Sequence, residues 1–236
     1  PKDPSWFNRD RFILSAGHES TLQYAILHLI GWLKLNDLKQ FRQLHSKTPG
    51  HPEVDIQGVE CTTGPLGQGF GMSTGMAFAE TFLRHVLKEK LNEAKGLVDH
   101  YTYALVGDGD MQEPITLGAA SLAGHLGLSH LIVYYDSNEI QISGGVSRSD
   151  STNYATVFEG FGWHVQEIDG HNHEAIRTAI EKAQVMDKPS IIIGKTIMAR
   201  GSAGMEGDHN THGSPLPQDE IDATKDKLGL APIVFN

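Results

Sequence analysis

The chain has 236 residues, of which 39% are hydrophobic and 20% are charged, and its formal net charge is −10. This composition is typical of a globular protein with a sizeable core, and the negative charge argues against nucleic acid as a partner. No apolar run has the length needed to span a bilayer. We therefore expect no membrane association. Cys61 has no second cysteine to pair with, so we expect a reducing, cytoplasmic location.

The first part of the chain predicts one strand followed by helices. Residues 11–14 read as a short apolar strand that ends at the sequence SAGH. Ser20 or Thr21 is expected to cap a helix, and a second short helix is expected over residues 36–44. The apolar face of the first helix is expected to carry Leu22, Ile26, Leu29, Ile30 and Leu33.

Residues 45–69 show no helical or strand periodicity and are rich in glycine and proline. An irregular stretch of this length inside a compact domain is usually functional or disordered, and the pattern of Thr, Gly and Pro around Leu66 favours function. Residues 69–91 then predict a long helix, whose small side chains allow close packing against another element.

The centre of the chain predicts a strand–helix–strand unit of the kind found in parallel sheets. The first strand covers residues 101–106 and ends at Gly107-Asp108-Gly109. A helix is expected over residues 115–126. The second strand covers residues 131–135 and ends just before Asn138.

Asp108 and Asn138 are expected to lie close together, because ligands gather at the carboxyl ends of parallel strands. Their side-chain oxygens suit Mg²⁺ or Ca²⁺ rather than zinc. The glycines beside Asp108 allow a bulky anion to approach the backbone. The combined pattern favours a site for a metal ion and a diphosphate, whereas a Gly-Asp-Gly sequence alone would indicate an ordinary turn.

The last part of the chain continues the alternation of helices and strands. In order, we expect a polar loop (143–153), a short helix ending at 160, a strand (162–168), a helix (174–186), a buried strand (190–197), a loop rich in glycine and histidine (198–217) and a terminal helix (219–228). The whole pattern predicts an α/β fold with a parallel sheet flanked by helices, and one domain over residues 1–236.

Four of the thirteen histidines lie beside or near glycine in loops that follow apolar elements, and these are His18, His51, His209 and His212. Neutral imidazole donates one hydrogen bond and accepts another, and it titrates near neutral pH. Such residues are therefore candidates for binding hydroxyl groups and for moving protons. The alternative for each is a capping or surface role.

Six segments of the chain, in this order, resemble those of transketolase: SAGHES (15–20), FRQLHSKTPGHPE (41–53), TTGPLGQG (62–69), GDGDMQE (107–113), SLAGHLGL (121–128) and HGSPL (212–216). The GDG sequence followed by a strand ending in Asn also resembles the thiamine diphosphate motif. The resemblance implies a thiamine-diphosphate-binding fold. It further implies the transfer of a two-carbon ketol unit from a ketose phosphate to an aldose phosphate, a reaction of the pentose phosphate pathway.

The resemblance also implies roles for individual residues. The catalytic histidines would be His18, His51 and His212, with His209 a weaker candidate. The cofactor-binding residues would be Gly64, Leu66, Asp108, Gly109, Glu113, Asn138 and His212. The metal ion, Mg²⁺ or Ca²⁺, would take side-chain oxygens of Asp108 and Asn138 and the main-chain carbonyl of Ile140. In the family, the residue matching Glu113 helps to join the two cofactor sites of a dimer.

By the same resemblance, the chain lacks the family's first N-terminal segment and its later domains. We therefore expect a piece or a split subunit that acts on sugar phosphates together with a complementary transketolase chain carrying the pyrimidine-binding domain, and we expect a homo-oligomer. The alternatives are a subunit of another thiamine diphosphate enzyme, such as deoxyxylulose-phosphate synthase or 2-oxo acid dehydrogenase, and a non-catalytic cofactor-binding subunit. HSKTPGHPE and TTGPLGQG favour transketolase.

Three positions depart from the family pattern. Glu19 stands where the family more often has a small residue, and Pro114 stands where glycine is common. Gly118 stands where the family often has a second acidic residue of the dimer network, which argues against a proton relay between two sites. Arg148 and Lys195 are weak candidates for contacting the phosphate of the sugar.

Overall fold

The computed structural model of the chain describes residues 3–91 and 96–231. Within these residues the main sheet is entirely parallel, with the strand order β1-β2-β3-β7-β6. Its strands are β1 (Arg11–Leu14), β2 (Thr102–Gly107), β3 (Leu131–Ser137), β6 (His164–Asp169) and β7 (Ser190–Lys195). A small antiparallel hairpin pairs β4 (Ile140–Gln141) with β5 (Gly144–Gly145). The predicted α/β class with a parallel sheet is confirmed.

Helices cover both faces of this sheet. They are α1 (Ser20–Leu29), α2 (Leu35–Lys39), α3 (Gln68–Leu91), α4 (Asp108–Met111), α5 (Pro114–His125), α6 (Tyr154–Gly160), α7 (His173–Gln184) and α8 (Gln218–Lys227). None of the helices in the described ranges is both long and apolar enough to cross a bilayer. The predicted domain includes residues 1–2, 92–95 and 232–236, which lie outside the described part.

The strand β3 shows why there is a hydrophobic core on each face of the sheet. Val133 and Tyr135 belong to the larger core, which α3, α5 and α6 cover, whereas Ile132 and Tyr134 belong to the core beneath α7. Because successive side chains of a strand point to opposite faces, a run of apolar residues is needed to fill both layers. The uninterrupted apolar sequence of this strand therefore follows from its place at the centre of the sheet.

The parallel register places three strand ends side by side. Leu14 of β1 pairs with Leu105 of β2, and Gly107 of β2 pairs with Asp136 of β3. The residues that follow β1, β2 and β3 therefore emerge at the same edge of the sheet, which we call the carboxyl edge. This is the edge at which open parallel sheets bind their ligands.

The helix α1 corrects one prediction. Of the predicted apolar face, Leu33 beyond the end of the helix is buried, but Leu22 and Ile26 are each 49% exposed, while Tyr24 and Leu27 on another face are buried. The Tyr24 hydroxyl donates to the carbonyl of Pro49 at 2.9 Å, so the irregular loop after α2 packs on that face. Which face a helix buries was decided by this distant loop and not by the most apolar stripe.

Other boundaries and caps also differ from the prediction. The N-cap of α1 is Glu19 without a capping side chain, because Ser20 instead donates its hydroxyl to the carbonyl of Gly50 at 2.9 Å. The helix expected over residues 36–44 is limited to α2. The loop expected over residues 143–153 contains β5, a strand too short to leave a periodic pattern.

Candidate functional site

Asp108 lies directly after β2 at the carboxyl edge, and it is 5% exposed. Its Oδ1 accepts a hydrogen bond from the Tyr135 hydroxyl at 2.5 Å, and its Oδ2 accepts one from the backbone amide of Glu139 at 2.9 Å. Burial raises the pKa of Asp108, although these two hydrogen bonds oppose the change. Both donors belong to β3 or to the turn after it, so the two strand ends are tied together through this carboxylate.

Asn138 lies in the turn that follows β3. Its amide nitrogen donates to Asp136 Oδ2 at 2.9 Å, and its Oδ1 accepts from the backbone amide of Ile140 at 3.0 Å. Glu139, between them, has a φ of 62°, in the left-handed region that non-glycine residues seldom adopt. This backbone reversal keeps Asn138 and Ile140 beside Asp108. Together the three residues offer only hard oxygen donors, the type that Mg²⁺ and Ca²⁺ prefer.

Three of the predicted histidines meet at this edge although they are distant in sequence. The ring centroids of His18 and His212 are 5.0 Å apart, with the ring planes at 30°. The ring of His51 lies against Gly64, where an added Cβ would be 3.3 Å from His51 Cγ. His209 is exposed in a short turn nearby in sequence. We call His18, His51 and His212 the histidine trio.

The surroundings of His18 and His212 favour neutral imidazole rings. Burial lowers the pKa of His18, and the charges of His212 and His51 lower it further, while Asp110 raises it. Burial also lowers the pKa of His212. In the described part of the chain, Nδ1 of His212 is buried without a hydrogen-bond partner. A buried ring nitrogen of this kind is free to bind a polar group of a ligand.

The irregular loop that contains Gly64 requires glycine in several places. Gly64 has a φ of 146°, and Gly67 has a φ of 78°. A Cβ on Gly67 would be 2.7 Å from Glu113 Cβ, and a Cβ on Gly109 would be 2.8 Å from Leu66 Cδ1. The loop therefore packs its Leu66 side chain directly on Gly109, the glycine that follows Asp108, and this contact requires glycine there.

Asp110 is the residue that our sequence analysis missed. It is 0% exposed, and its Oδ1 accepts from the Ser15 hydroxyl and from the Gly67 amide, each at 2.7 Å. Its Oδ2 accepts from the Gly107 amide at 3.0 Å. The available signal was local: an acidic residue three positions after Gly107 can reach back to cap the turn.

Glu19 follows His18 and extends over the end of β2. Its Oε1 lies 4.0 Å from the position that a Cβ on Gly107 would occupy. Burial raises the pKa of Glu19 to about 7, with further increases from the charges of Asp136 and Asp110. Glu19, which stands where the family more often has a small residue, is therefore close to Gly107, the residue before Asp108.

Glu113 forms the N-cap of α5 and lies at the mouth of an apolar groove between α3 and α5. The groove has a volume of about 1170 Å³. It is lined by Leu66 and Glu113 and, along the two helices, by Met72, Phe78, Ile115 and Leu122. Gly118 also lines it and has open space around it.

Of the two weak phosphate candidates, Arg148 follows the hairpin, whereas Lys195 is the last residue of β7 and so lies at the carboxyl edge. Arg148 is exposed and donates to the carbonyl of Ser143, and Lys195 is exposed and 3.9 Å from Glu139 Oε1. The remaining predicted site residues lie along the carboxyl edge and at the groove beside it. The structure thus brings together Asp108, Asn138 and Ile140, the histidine trio with Gly64, and Leu66 with Gly109.

Comparison with known proteins identifies the family. Residues 1–235 match the family described as "Transketolase, thiamine diphosphate binding domain". The chain belongs to the transketolase family. It is 50% identical over 233 residues to transketolase 1 of Escherichia coli, and 50% identical over 230 residues to transketolase of Bacillus subtilis. These matches cover 97% and 96% of the chain but only 35% and 34% of the two relatives, so the chain spans about a third of their length.

Solved transketolase structures agree with this assignment. The enzyme from Campylobacter jejuni superimposes with a TM-score of 0.93 at 46% identity, covering 100% of this chain and 36% of that chain. Transketolase from Pichia stipitis in complex with sedoheptulose 7-phosphate superimposes with a TM-score of 0.92 at 42% identity, covering 98% of this chain and 34% of that one. These relatives favour the transketolase interpretation over the other thiamine diphosphate enzymes considered.

Proposed function

We propose that the chain is the diphosphate- and metal-binding part of a transketolase, which transfers a two-carbon ketol unit from a ketose phosphate to an aldose phosphate in the cytoplasmic pentose phosphate pathway. One observation carries the proposal: Asp108 and Asn138 follow the neighbouring strands β2 and β3 at the carboxyl edge, where the histidine trio also gathers. Family membership supports the same conclusion, and the sugar phosphate bound by the Pichia stipitis enzyme supports sugar phosphates as substrates.

The residues at this edge fit a diphosphate bridged to the protein by a divalent cation. Oxygens of Asp108 and Asn138 and the carbonyl of Ile140 would hold Mg²⁺ or Ca²⁺, and the backbone amide of Gly109 would face the diphosphate. Gly64 and Leu66 would contact the rest of the cofactor. His212, with its unpartnered Nδ1, would lie between the diphosphate and the substrate.

The histidine trio would handle protons during the reaction. Bound thiamine diphosphate supplies the electron sink for breaking a carbon–carbon bond next to a carbonyl group. His18, His51 and His212 would bind the hydroxyl groups of the sugar, and a ring nitrogen would accept and return the hydroxyl proton. The lowered pKa values of His18 and His212 support this role, because a neutral ring is needed to accept a proton.

The groove between α3 and α5 supports a homo-oligomer, the dimer being the simplest form. Phe78 and Leu122 are 48% and 52% exposed there, and Glu113 at its mouth adjoins the proposed cofactor site. We further propose that activity needs a complementary transketolase chain with the pyrimidine-binding domain, since the chain matches about a third of its relatives. The assignment of residues 1–236 to one domain stays a prediction.

Calorimetry with Mg²⁺ and thiamine diphosphate tests the proposal. Asp108→Asn keeps the shape of the side chain and removes its charge, so we expect it to abolish the metal-dependent part of binding. The matched control is Asp169→Asn, which changes an exposed carboxylate at the end of β6, two strands away from β3 on the same edge. Equal affinity of wild type and Asp108→Asn, or no binding by wild type, would contradict the proposal.

A second measurement separates a catalytic part from a non-catalytic cofactor-binding subunit. Ketol transfer is assayed with the purified chain alone and after addition of a chain that carries the pyrimidine-binding domain. We expect activity only in the mixture. Turnover by the chain alone would overturn the proposed need for a partner, and inactivity of a mixture that binds cofactor would favour the non-catalytic subunit.

A further inference from the structure

The carboxylate of Asp110 connects three segments that are far apart in the sequence. Ser15 follows β1 and leads to His18; Gly67 ends the loop that carries Leu66; Gly107 ends β2 immediately before Asp108. Each of Ser15, Gly67 and Gly107 donates one hydrogen bond to Asp110, over distances of 2.7 to 3.0 Å. One side chain therefore touches three of the segments that supply the proposed cofactor contacts.

Further hydrogen bonds connect Ser15 and the backbone of Asp110 to the helices α3 and α5. Ser15 Oγ also accepts from the backbone amide of Phe70 at 3.1 Å, which fixes the start of α3 to the end of β1. The carbonyl of Asp110 accepts from the Thr116 hydroxyl at 2.6 Å, which fixes α5. Because Asp110 is 0% exposed, water cannot replace a lost partner at low cost.

The close packing around these hydrogen bonds makes small displacements costly. A Cβ on Gly69 would be 2.5 Å from Ser15 Cα, and a Cβ on Gly17 would be 2.9 Å from the backbone nitrogen of Gly64. The residues after β1 are thus in close contact with the start of α3 and with the loop that contains Gly64, Leu66 and Gly67, which we call the glycine loop. A shift of the loop relative to β1 would move Leu66 away from Gly109 and His51 away from His18.

We infer that Asp110 is a positioning residue, whose buried carboxylate holds the end of β1, the glycine loop and the end of β2 in the arrangement that binds thiamine diphosphate. This inference rests on the proposed function and adds to it a residue that contacts neither metal ion nor cofactor. An amide cannot replace the carboxylate, because in either orientation its NH₂ group would face a backbone N–H that now has an acceptor.

The test compares two variants that turn a buried carboxylate into an amide, Asp110→Asn and Glu80→Gln. Glu80 is 1% exposed and lies at the opposite end of the sheet, so Glu80→Gln controls for a general loss of stability. We expect Asp110→Asn to weaken the binding of thiamine diphosphate with Mg²⁺ by about tenfold or more, while Glu80→Gln leaves the affinity unchanged. Amide hydrogen exchange at Gly67 and Gly107 should accelerate in Asp110→Asn alone.

Ser15→Ala is the milder variant for the case that Asp110→Asn does not fold, and it should show a smaller change in the same direction. Unchanged affinity in the folded variant would overturn the inference while wild-type binding upholds the proposed function. Equal losses in Asp110→Asn and Glu80→Gln would also overturn it, since they would reflect stability alone. Failure of wild type to bind would overturn the proposed function, and the inference with it.

Discussion

The sheet has a buried carboxylate at each end, and the two are held in different ways. At the carboxyl edge, Asp110 accepts hydrogen bonds from one hydroxyl and two backbone amides, all of them neutral donors. At the opposite end, Glu80 Oε1 lies 2.9 Å from Arg84 Nε and 3.1 Å from His130 Nδ1. The first carboxylate has only neutral donors around it, whereas the second lies beside two ionisable side chains and also accepts a hydrogen bond from the Thr81 hydroxyl at 3.2 Å.

The difference shows that a buried carboxylate can have hydrogen bonds to both oxygens and still act electrostatically on the ionisable groups around it. Burial opposes ionisation of Glu80, but the hydrogen bond and charge of His130 and the charge of Arg84 outweigh it and lower the pKa of Glu80. The charge of Asp110 instead acts on its neighbours and raises the pKa values of both His18 and Glu19. A negative field thus persists at the edge where we propose catalysis.

The largest effect is expected from Glu80→Ala. The variant leaves Arg84 and His130 without their carboxylate, so the free energy of unfolding should fall by about 3 kcal/mol. Denaturant titration measures this loss, and cofactor affinity should not change. The control is Glu174→Ala, which breaks an exposed helix pair with Arg177 and should cost less than about 0.5 kcal/mol. Similar losses of unfolding free energy in both variants would show that the buried interaction contributes no more to stability than the exposed pair.

Glu19→Gln should change how stability depends on pH. The pKa of Glu19 is raised from 4.5 to about 7, so the folded chain holds a proton that the unfolded chain releases, and wild-type stability falls as pH rises from 4.5 to 7. The variant removes this dependence, so its stability relative to wild type should rise by about 3 kcal/mol between pH 4 and pH 8. Unfolding in the absence of metal and cofactor measures it, with the exposed Glu159→Gln as control. A pH-independent difference between Glu19→Gln and wild type would refute the assignment.

Ser15→Ala should cost about 1 to 2 kcal/mol, because it removes a donor from Asp110 and an acceptor from the Phe70 amide. Ser73→Ala provides the matched control. Ser73 is also a buried serine, but its hydroxyl bonds to the Phe70 carbonyl within the same helix, so its loss should cost less. In combination with Asp110→Asn, the Ser15→Ala cost should shrink, which a double-mutant cycle detects. Additive costs would mean that the two residues act separately.

The smallest effect is expected in the titration of His18. Asp110→Asn removes the charge that opposes the lowering of the His18 pKa, so this pKa should fall further. The groups that otherwise act on the ring, His212 and His51, are unchanged in this variant. NMR titration of the imidazole resonances measures the shift, with Glu80→Gln as the reference. An identical His18 pKa in both variants would show that the field of Asp110 does not reach the trio.

The sequence was sufficient for those features that depend on neighbouring residues. Apolar runs ending in glycine and polar residues marked β1, β2 and β3 to within two residues at either end, and so placed Asp108 and Asn138 at adjacent strand ends. The parallel arrangement followed from the alternation of strands and helices. The resemblance to transketolase brought in the histidines, which periodicity alone does not distinguish from surface residues.

Features that depend on distant segments were not predictable. The buried face of α1 was decided by the loop that packs on Tyr24. The role of Asp110 depends on hydrogen bonds from Ser15, Gly67 and Gly107. Of these donors only Gly107 is near Asp110 in the sequence. His130 likewise gained its contact with Glu80 from the packing of α3 beside the start of β3.

The histidine trio has a consequence for how the protein gains its chemistry. Its members stand after β1, inside the glycine loop and in the loop beyond β7, so nearly the whole chain must be in place before the rings meet. A complete but unfolded polypeptide would possess all three imidazole rings without bringing them together. The proposed handling of protons by the trio is therefore coupled to completion of folding.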